Sequence, residues 1–126
     1  MSYQSNPIFE YFTKPDKITC KAVGNVTGKT IVKIVAGGTD QCPNISTAAA
    51  GDPSYGVAGW DVKDGEKVTI YREGILSITA GAALAAGDRV EVGAGGTAVK
   101  VTTGESCGVV HGDAAKNTDA AVAVNF

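Results

Sequence analysis

Gly56-Val57-Ala58-Gly59-Trp60-Asp61-Val62-Lys63-Asp64-Gly65-Glu66-Lys67-Val68-Thr69-Ile70-Tyr71-Arg72-Glu73-Gly74 is the stretch whose reading decides the fold. Val57 and Ala58 form a short apolar strand, Asp64-Gly65 a turn, and Val68 and Ile70 an alternating strand that ends at Gly74. Asp-Gly between two apolar runs makes a turn because glycine accepts a positive φ and the Asp side chain bonds its own backbone. The same grammar returns at Gly108-Val109-Val110-His111-Gly112-Asp113, followed after a polar break by Val122-Ala123-Val124.

Working outward, the chain reads as short strands and turns. Ile18, Cys20 and Ala22 alternate with Thr19 and Lys21, the period-two pattern of a half-buried strand. Residues 30–35 form a strand with Val32 and Ile34 on one face and Ile31 and Val35 on the other. Residues 41–55 are a polar, alanine-rich connection, and its Ala48-Ala49-Ala50 run is too short for a helix. Residues 75–78 are a strand with Leu76 and Ile78 paired. Between Gly81 and Gly87 only one turn or a tight loop fits. Val90 and Val92 point inward from the next strand, Gly93-Ala94-Gly95-Gly96 turns it, and residues 98–102 return with Val99 and Val101 inward.

Set side by side, residues 28–39 lie against 87–97, with Gly28 opposite Gly87. Residues 52–57 lie against 104–109, and Asp61 and Asp113 follow their glycines at equal distance. The order is kept, so the expected fold is all-β: a pseudo-duplicated small barrel or sandwich of roughly eight to ten short strands. Two copies are too few for a solenoid.

At 126 residues the chain reads as one domain, and 17 glycines favour turns over long helices. A net charge of −2, with 11 basic residues spread out, excludes a phosphate grip on nucleic acid. Lys14, Lys17 and Lys21 are the nearest thing to a cluster. The 3 cysteines, Cys20, Cys42 and Cys107, are odd in number and lack metal-knuckle spacing. Reduced, mostly buried thiols are expected, as suits assembly in a cytosol. No signal peptide is read at the start, and no apolar run approaches the ~18 residues of a membrane span. Asn25-Val26-Thr27 and Asn44-Ile45-Ser46 match the glycosylation sequon and are read as chance.

Residues 1–16 differ from the remainder, 17–126. Pro7 and Pro15 punctuate them and disfavour a helix, and they hold two of the 3 Phe. An extended N-terminal arm is expected. It either folds back over its own core or docks on a neighbouring chain, in which case Tyr3, Pro7, Ile8, Phe9, Tyr11, Phe12 and Lys14 make the contact.

Catalytic chemistry finds little to stand on. His111 is the only histidine. A general base needs an orienting partner and a nucleophile within reach, for which Asp113 and Cys107 are the candidates. The glycine-rich turn at 93–96 opens no helix, so it is a hairpin turn rather than a phosphate cradle. Asp61, Asp64, Glu66 and Glu73 lack the alternation of a calcium loop and read as turn carboxylates. No metal, cofactor or enzymatic activity is expected. Trp60 either anchors the core or packs at a subunit contact, where tryptophan is over-represented among energetic anchors. Tyr55 and Tyr71 are further candidates for such a contact.

Tyr55-Gly56-Val57-Ala58, then Val68-Thr69-Ile70-Tyr71-Arg72-Glu73-Gly74, Ile78, and Ala82-Ala83-Leu84-Ala85-Ala86-Gly87-Asp88-Arg89-Val90 resemble the decoration, or cement, proteins of tailed-phage capsids. The order of elements is similar to that of the lambda-type head decoration proteins, over residues 18–112. The resemblance implies a β-tulip-like domain and a structural role on the outer face of the virion. It implies a homotrimer at threefold or quasi-threefold positions that binds the major capsid protein and stabilises the expanded icosahedral shell. No membrane or nucleic-acid partner is implied. A tail or fibre attachment module, and a carbohydrate-binding β-domain using Trp60, Tyr55 and Tyr71, are the rival readings.

Overall fold

The structure, a computed structural model, describes residues 5, 6, 8, 12 and 16–126. It is all-β, as expected. The strands are β1 (Lys17–Ala22), β2 (Ile31–Val35), β3 (Asn44–Thr47), β4 (Gly56–Ala58), β5 (Lys67–Tyr71), β6 (Glu73–Thr79), β7 (Arg89–Val92), β8 (Ala98–Lys100), β9 (Gly108–Val110) and β10 (Asp119–Asn125). A 3-10 turn, Ala94–Gly96, joins β7 to β8.

In the first half, β1-β3-β2-β4-β5 close into a barrel; in the second, β6-β10-β9-β7-β8 form an open sheet. These are the same order read from equivalent strands, β1 answering to β6 and β5 to β10. The barrel closes through a parallel pairing of Lys21 with Asn44 and Ala22 with Ile45. In the second half that seam is a single parallel bridge, Ala80 to Ala98.

The open side of the second half is filled by the first. Ile18, Cys20, Val32, Ile45, Val68 and Ile70 line the barrel interior. The second core gathers Ile78, Val90, Val110 and Val122, together with Ile31, Ala48 and Val57 from the outside of the barrel. Burying each such side chain contributes about 1.5–3 kcal/mol. The fit is tight at Gly96, where a Cβ would lie 2.5 Å from the Ile31 carbonyl oxygen.

Hydrogen bonds confirm the duplication and correct its register. Val26 and Val62 form a bridge in the first half, and Leu84 and Ala114 form its equivalent. Asp61 Oδ1 accepts from the Gly28 N–H at 2.7 Å, and Asp113 Oδ1 accepts from the Ala86 N–H at 2.9 Å. Gly28 therefore corresponds to Ala86, and Gly87 to Lys29, one residue away from the alignment read in the sequence. Lys29 N–H donates to the Ala58 carbonyl at 2.9 Å, and Gly87 N–H donates to that of Val110 at 2.8 Å. Both residues have positive φ, 63° and 87°. Glycine marks the left-handed position in one half only, so aligning glycine on glycine slips the repeat by one.

Four other expectations change. The connection over 41–55 contains β3, in which Ile45 alone is fully buried, so no alternation announces it. At β8 it is Ala98 that faces the core, with Val99 and Val101 half-buried, because the seam with Ala80 leaves room for a methyl only. Ile34 is exposed rather than paired inward with Val32. Gly74 lies inside β6, opposite Val124, instead of ending the previous strand.

Of the expected arm, Tyr3, Pro7, Phe9, Tyr11 and Lys14 lie outside the described residues, while Ile8 is 96% and Phe12 37% exposed. The chain enters the barrel at Asp16, whose carbonyl accepts from Arg72 N–H at 2.7 Å.

Candidate interaction surface

Of the carboxylates singled out in the sequence, Asp61, Asp64 and Glu66 are fastened to backbone. Asp64 Oδ1 accepts from Gly24 N–H at 2.8 Å, and Glu66 Oε1 accepts from Lys63 N–H at 2.7 Å. Asp52 Oδ2 accepts from Lys33 Nζ and from Ala49 N–H, both at 2.9 Å, and these bonds hold its carboxyl below the usual range. Each carboxylate thus ties a turn.

The His111, Asp113 and Cys107 candidates are not assembled into a catalytic group. Asp113 is engaged with Ala86, His111 lies in a bend with its N–H donated to the Ala121 carbonyl, and Cys107 packs against the second core. Burial pushes the Cys107 thiol up, away from the thiolate a nucleophile needs. Among the described residues no group of His, Cys, Asp and Glu could hold a metal.

The aromatic candidates divide. Tyr55 stacks under the Arg72 guanidinium, 4.4 Å from ring centroid to Cζ, and burial raises its phenol above the ordinary value. Arg72 in turn donates to the Tyr55 and Phe126 carbonyls at 2.9 and 3.1 Å, tying the last residue of the chain to the barrel. Tyr55 borders a hollow with Ile34 and Asn44.

Tyr71 and Trp60 come instead to a groove between the halves. Tyr71 lines it with Gly59, Leu76 and Ser77, under Lys17 Nζ at 5.5 Å. Trp60 lines its continuation with Thr79 and Asp119. Gly59 and Lys29 belong to both parts, and Lys29 Nζ bonds Asp119 Oδ2 across the halves at 2.8 Å. At 48% exposed, Trp60 is no core anchor. Its backbone is pinned against Gly28, where a Cβ would stand 2.8 Å from the Trp60 Cα.

Sequence reading missed the Lys29–Asp119 pair, because the two lie far apart in the chain and meet only where the halves pack, with Thr79 donating its N–H to the Lys29 carbonyl and pairing with Asp119 across the ladder. It also missed an apolar row on the outside of the second half, Ile75–Ala123–Val109, in which Ile75 is 61% and Val109 40% exposed. Ile75 belongs to a Gly-Ile-Leu-Ser-Ile run in which apolar residues fall on both faces.

Exposed apolar groups and an interhalf groove thus lie on a scaffold whose polar groups serve the fold. The family model described as "Phage cement protein" matches residues 13–126. The chain belongs to the phage cement protein family. No curated protein matches its sequence. In structure this cement protein is similar to the head fibre gp8.5 N base of bacteriophage phi29, with a TM-score of 0.73 and 25% identity over 86% of this chain and 92% of that one. The cement protein is therefore a phage capsid-associated structural protein, as the resemblance in its motifs implied.

Proposed function

We propose that this cement protein binds the outer face of an icosahedral phage capsid, as a homotrimer at threefold or quasi-threefold positions, and stabilises the expanded shell. The observation that carries the reading is the family match, which spans the whole β domain from residue 13 onward. The likeness to a head fibre base favours a place on the head over one on the tail. The reading is structural rather than enzymatic, with the major capsid protein and further copies of the chain as partners.

The mechanism is linkage. A protein that binds the assembled lattice and not its separate subunits adds its binding free energy to the stability of the shell. Residues 1–16 act as an attachment arm for the domain at 17–126. Tyr3, Pro7, Ile8, Phe9, Tyr11, Phe12 and Lys14 supply its contacts, and the exposure of Ile8 and Phe12 leaves both available. An extended arm beside an open sheet edge gains backbone hydrogen bonds and fills pockets with alternate side chains. Three arms on one trimer make attachment multivalent, so modest single contacts give slow release. Tyr55, Trp60 and Tyr71 serve the contacts between subunits.

Deleting residues 2–14 tests the arm. The truncated protein is expected to remain a folded trimer and to be absent from capsids imaged by cryo-electron microscopy. Wild-type occupancy by the truncated protein would refute the arm's role.

A further inference from the structure

Asp16, Arg72 and Phe126 hold corresponding places in the duplicated chain. Asp16 precedes β1 and Phe126 follows β10, while Arg72 is the single residue between β5 and β6. Arg72 thus ends one half and starts the next. In each half the closing residue donates its N–H to the carbonyl of the opening one. Arg72 N–H goes to Asp16 at 2.7 Å, and Phe126 N–H goes to Arg72 at 2.9 Å. Arg72 gives its N–H to one ladder and its carbonyl to the other, so the two ladders meet end to end on it.

The meeting has a consequence for the chain before Asp16. β1 runs antiparallel to β5 with Lys17 opposite Tyr71, which sets Asp16 opposite Arg72. A β1 continued backwards in this register would set residues 15 and 14 opposite Glu73 and Gly74. Those places are taken, because β10 sets Asn125 opposite Glu73 and Val124 opposite Gly74. The N-terminal arm and the end of β10 are therefore competitors for one stretch of β6.

The Arg72 side chain decides the competition for β10. In a hydrogen-bonded antiparallel pair each residue donates to the other. The Arg72 N–H is spent on Asp16, and the guanidinium stands in for it at Phe126, with Nη2 donating to the Phe126 carbonyl at 3.1 Å. The fork is held in place from behind: Nε donates to the Tyr55 carbonyl at 2.9 Å, and Cζ lies 4.4 Å from the Tyr55 ring centroid. A planar fork bonds in two directions at once, which an ammonium on a flexible stem does less well.

We propose that Arg72 is a positioning residue for the attachment arm: by clamping Phe126 it gives β10 the places along β6 that the arm would otherwise pair with, and so keeps residues 1–15 available to a partner. The value of an available arm rests on the attachment reading above, whereas the competition stands on the registers alone.

Amide hydrogen exchange on the full-length protein reads the competition, with thermal melting as the folding control. In an arm that continued β1, the N–H groups of Asp16, Lys14 and Phe12 would turn to β6, and that of Thr13 would turn away. In the wild type all four are expected to exchange at similar, fast rates. Arg72→Met removes the clamp, and Phe126→Pro removes the N–H that occupies the Arg72 carbonyl. In the double variant protection is expected to rise roughly tenfold or more at Asp16 and Lys14 but not at Thr13, and capsid occupancy to fall several-fold. Should the double variant fail to fold, Arg72→Lys keeps the charge and the stem, loses the fork, and is read in the same way. Alternating protection already present in the wild type overturns the proposal, as does its absence from every variant that melts like a folded protein. Protection that rises at Thr13 as much as at its neighbours assigns the arm to some other contact and overturns it too. Alternating protection with capsid occupancy unchanged upholds the competition and overturns the attachment reading of the arm.

Discussion

Lys29 and Gly87 hold the same place in the two halves, and both have left-handed backbone, at φ of 63° and 87°. Only glycine takes that conformation without cost, so the first half stores strain where the second does not. Lys29 is retained there with its ammonium on Asp119.

Replacing Lys29 separates the two contributions. Lys29→Gly and Lys29→Ala both remove the ion pair, which is half exposed and contributes no more than about 1 kcal/mol. They differ in backbone strain, so the glycine variant is expected to be the more stable by about 1 kcal/mol in urea denaturation. An alanine variant equal to or better than the glycine variant would show that the strain is absent.

Neighbouring glycines in the turn before β8 offer a second test. Gly95 and Gly96 have φ of 68° and 74°, but a Cβ at Gly95 meets nothing within 4 Å while one at Gly96 runs into Ile31. Gly95→Ala is expected to cost about 1–2 kcal/mol, from the left-handed backbone alone. Gly96→Ala is expected to cost more and to loosen the packing of the two halves. Hydrogen exchange at β2 and β8 would register that loosening, and equal costs for the two variants would count against the tight interhalf fit.

The thiol of Cys20 is pushed up from 9.0 to about 12, first by burial and further by Cys42. Between pH 9 and about 12 the unfolded chain gives up this proton while the folded chain keeps it. Stability is therefore complete below pH 9 and falls as pH rises through that window, at up to ~1.4 kcal/mol per pH unit from this group. In Cys20→Ala that part of the slope is expected to vanish, leaving a shallower alkaline loss in denaturation curves. Identical slopes for the two proteins would mean that Cys20 is less enclosed than its place in the barrel requires.

Much of the fold was legible because half-buried strands print their alternation on the sequence. Ile18, Cys20 and Ala22, then Val68 and Ile70, then Val90 and Val92 all face inward as their period demands. β3 was illegible because Ile45 alone carries its inward face. The phase of β8 was misread because the narrow seam takes Ala98 and turns the larger Val99 partly outward, opposite to what side-chain size suggests. The family was legible from the order of motifs. The exposed apolar row was less so, because exposure belongs to tertiary structure: nothing local distinguishes an exposed Ile75 from a buried Ile78.

Trp60 gives the last prediction, since it separates stability from association. It is the single tryptophan, half exposed, on a turn fixed by Gly28 rather than by its own ring. A side chain so placed contributes little to folding, and Trp60→Ala is expected to change stability by no more than about 0.5 kcal/mol. Indole emission should then report the surface directly. Diluting the assembled protein is expected to shift the emission to the red as Trp60 meets water, and the alanine variant is expected to assemble at higher concentration than the wild type. Emission that stays constant through dissociation, with assembly unchanged by Trp60→Ala, would remove Trp60 from the subunit contact.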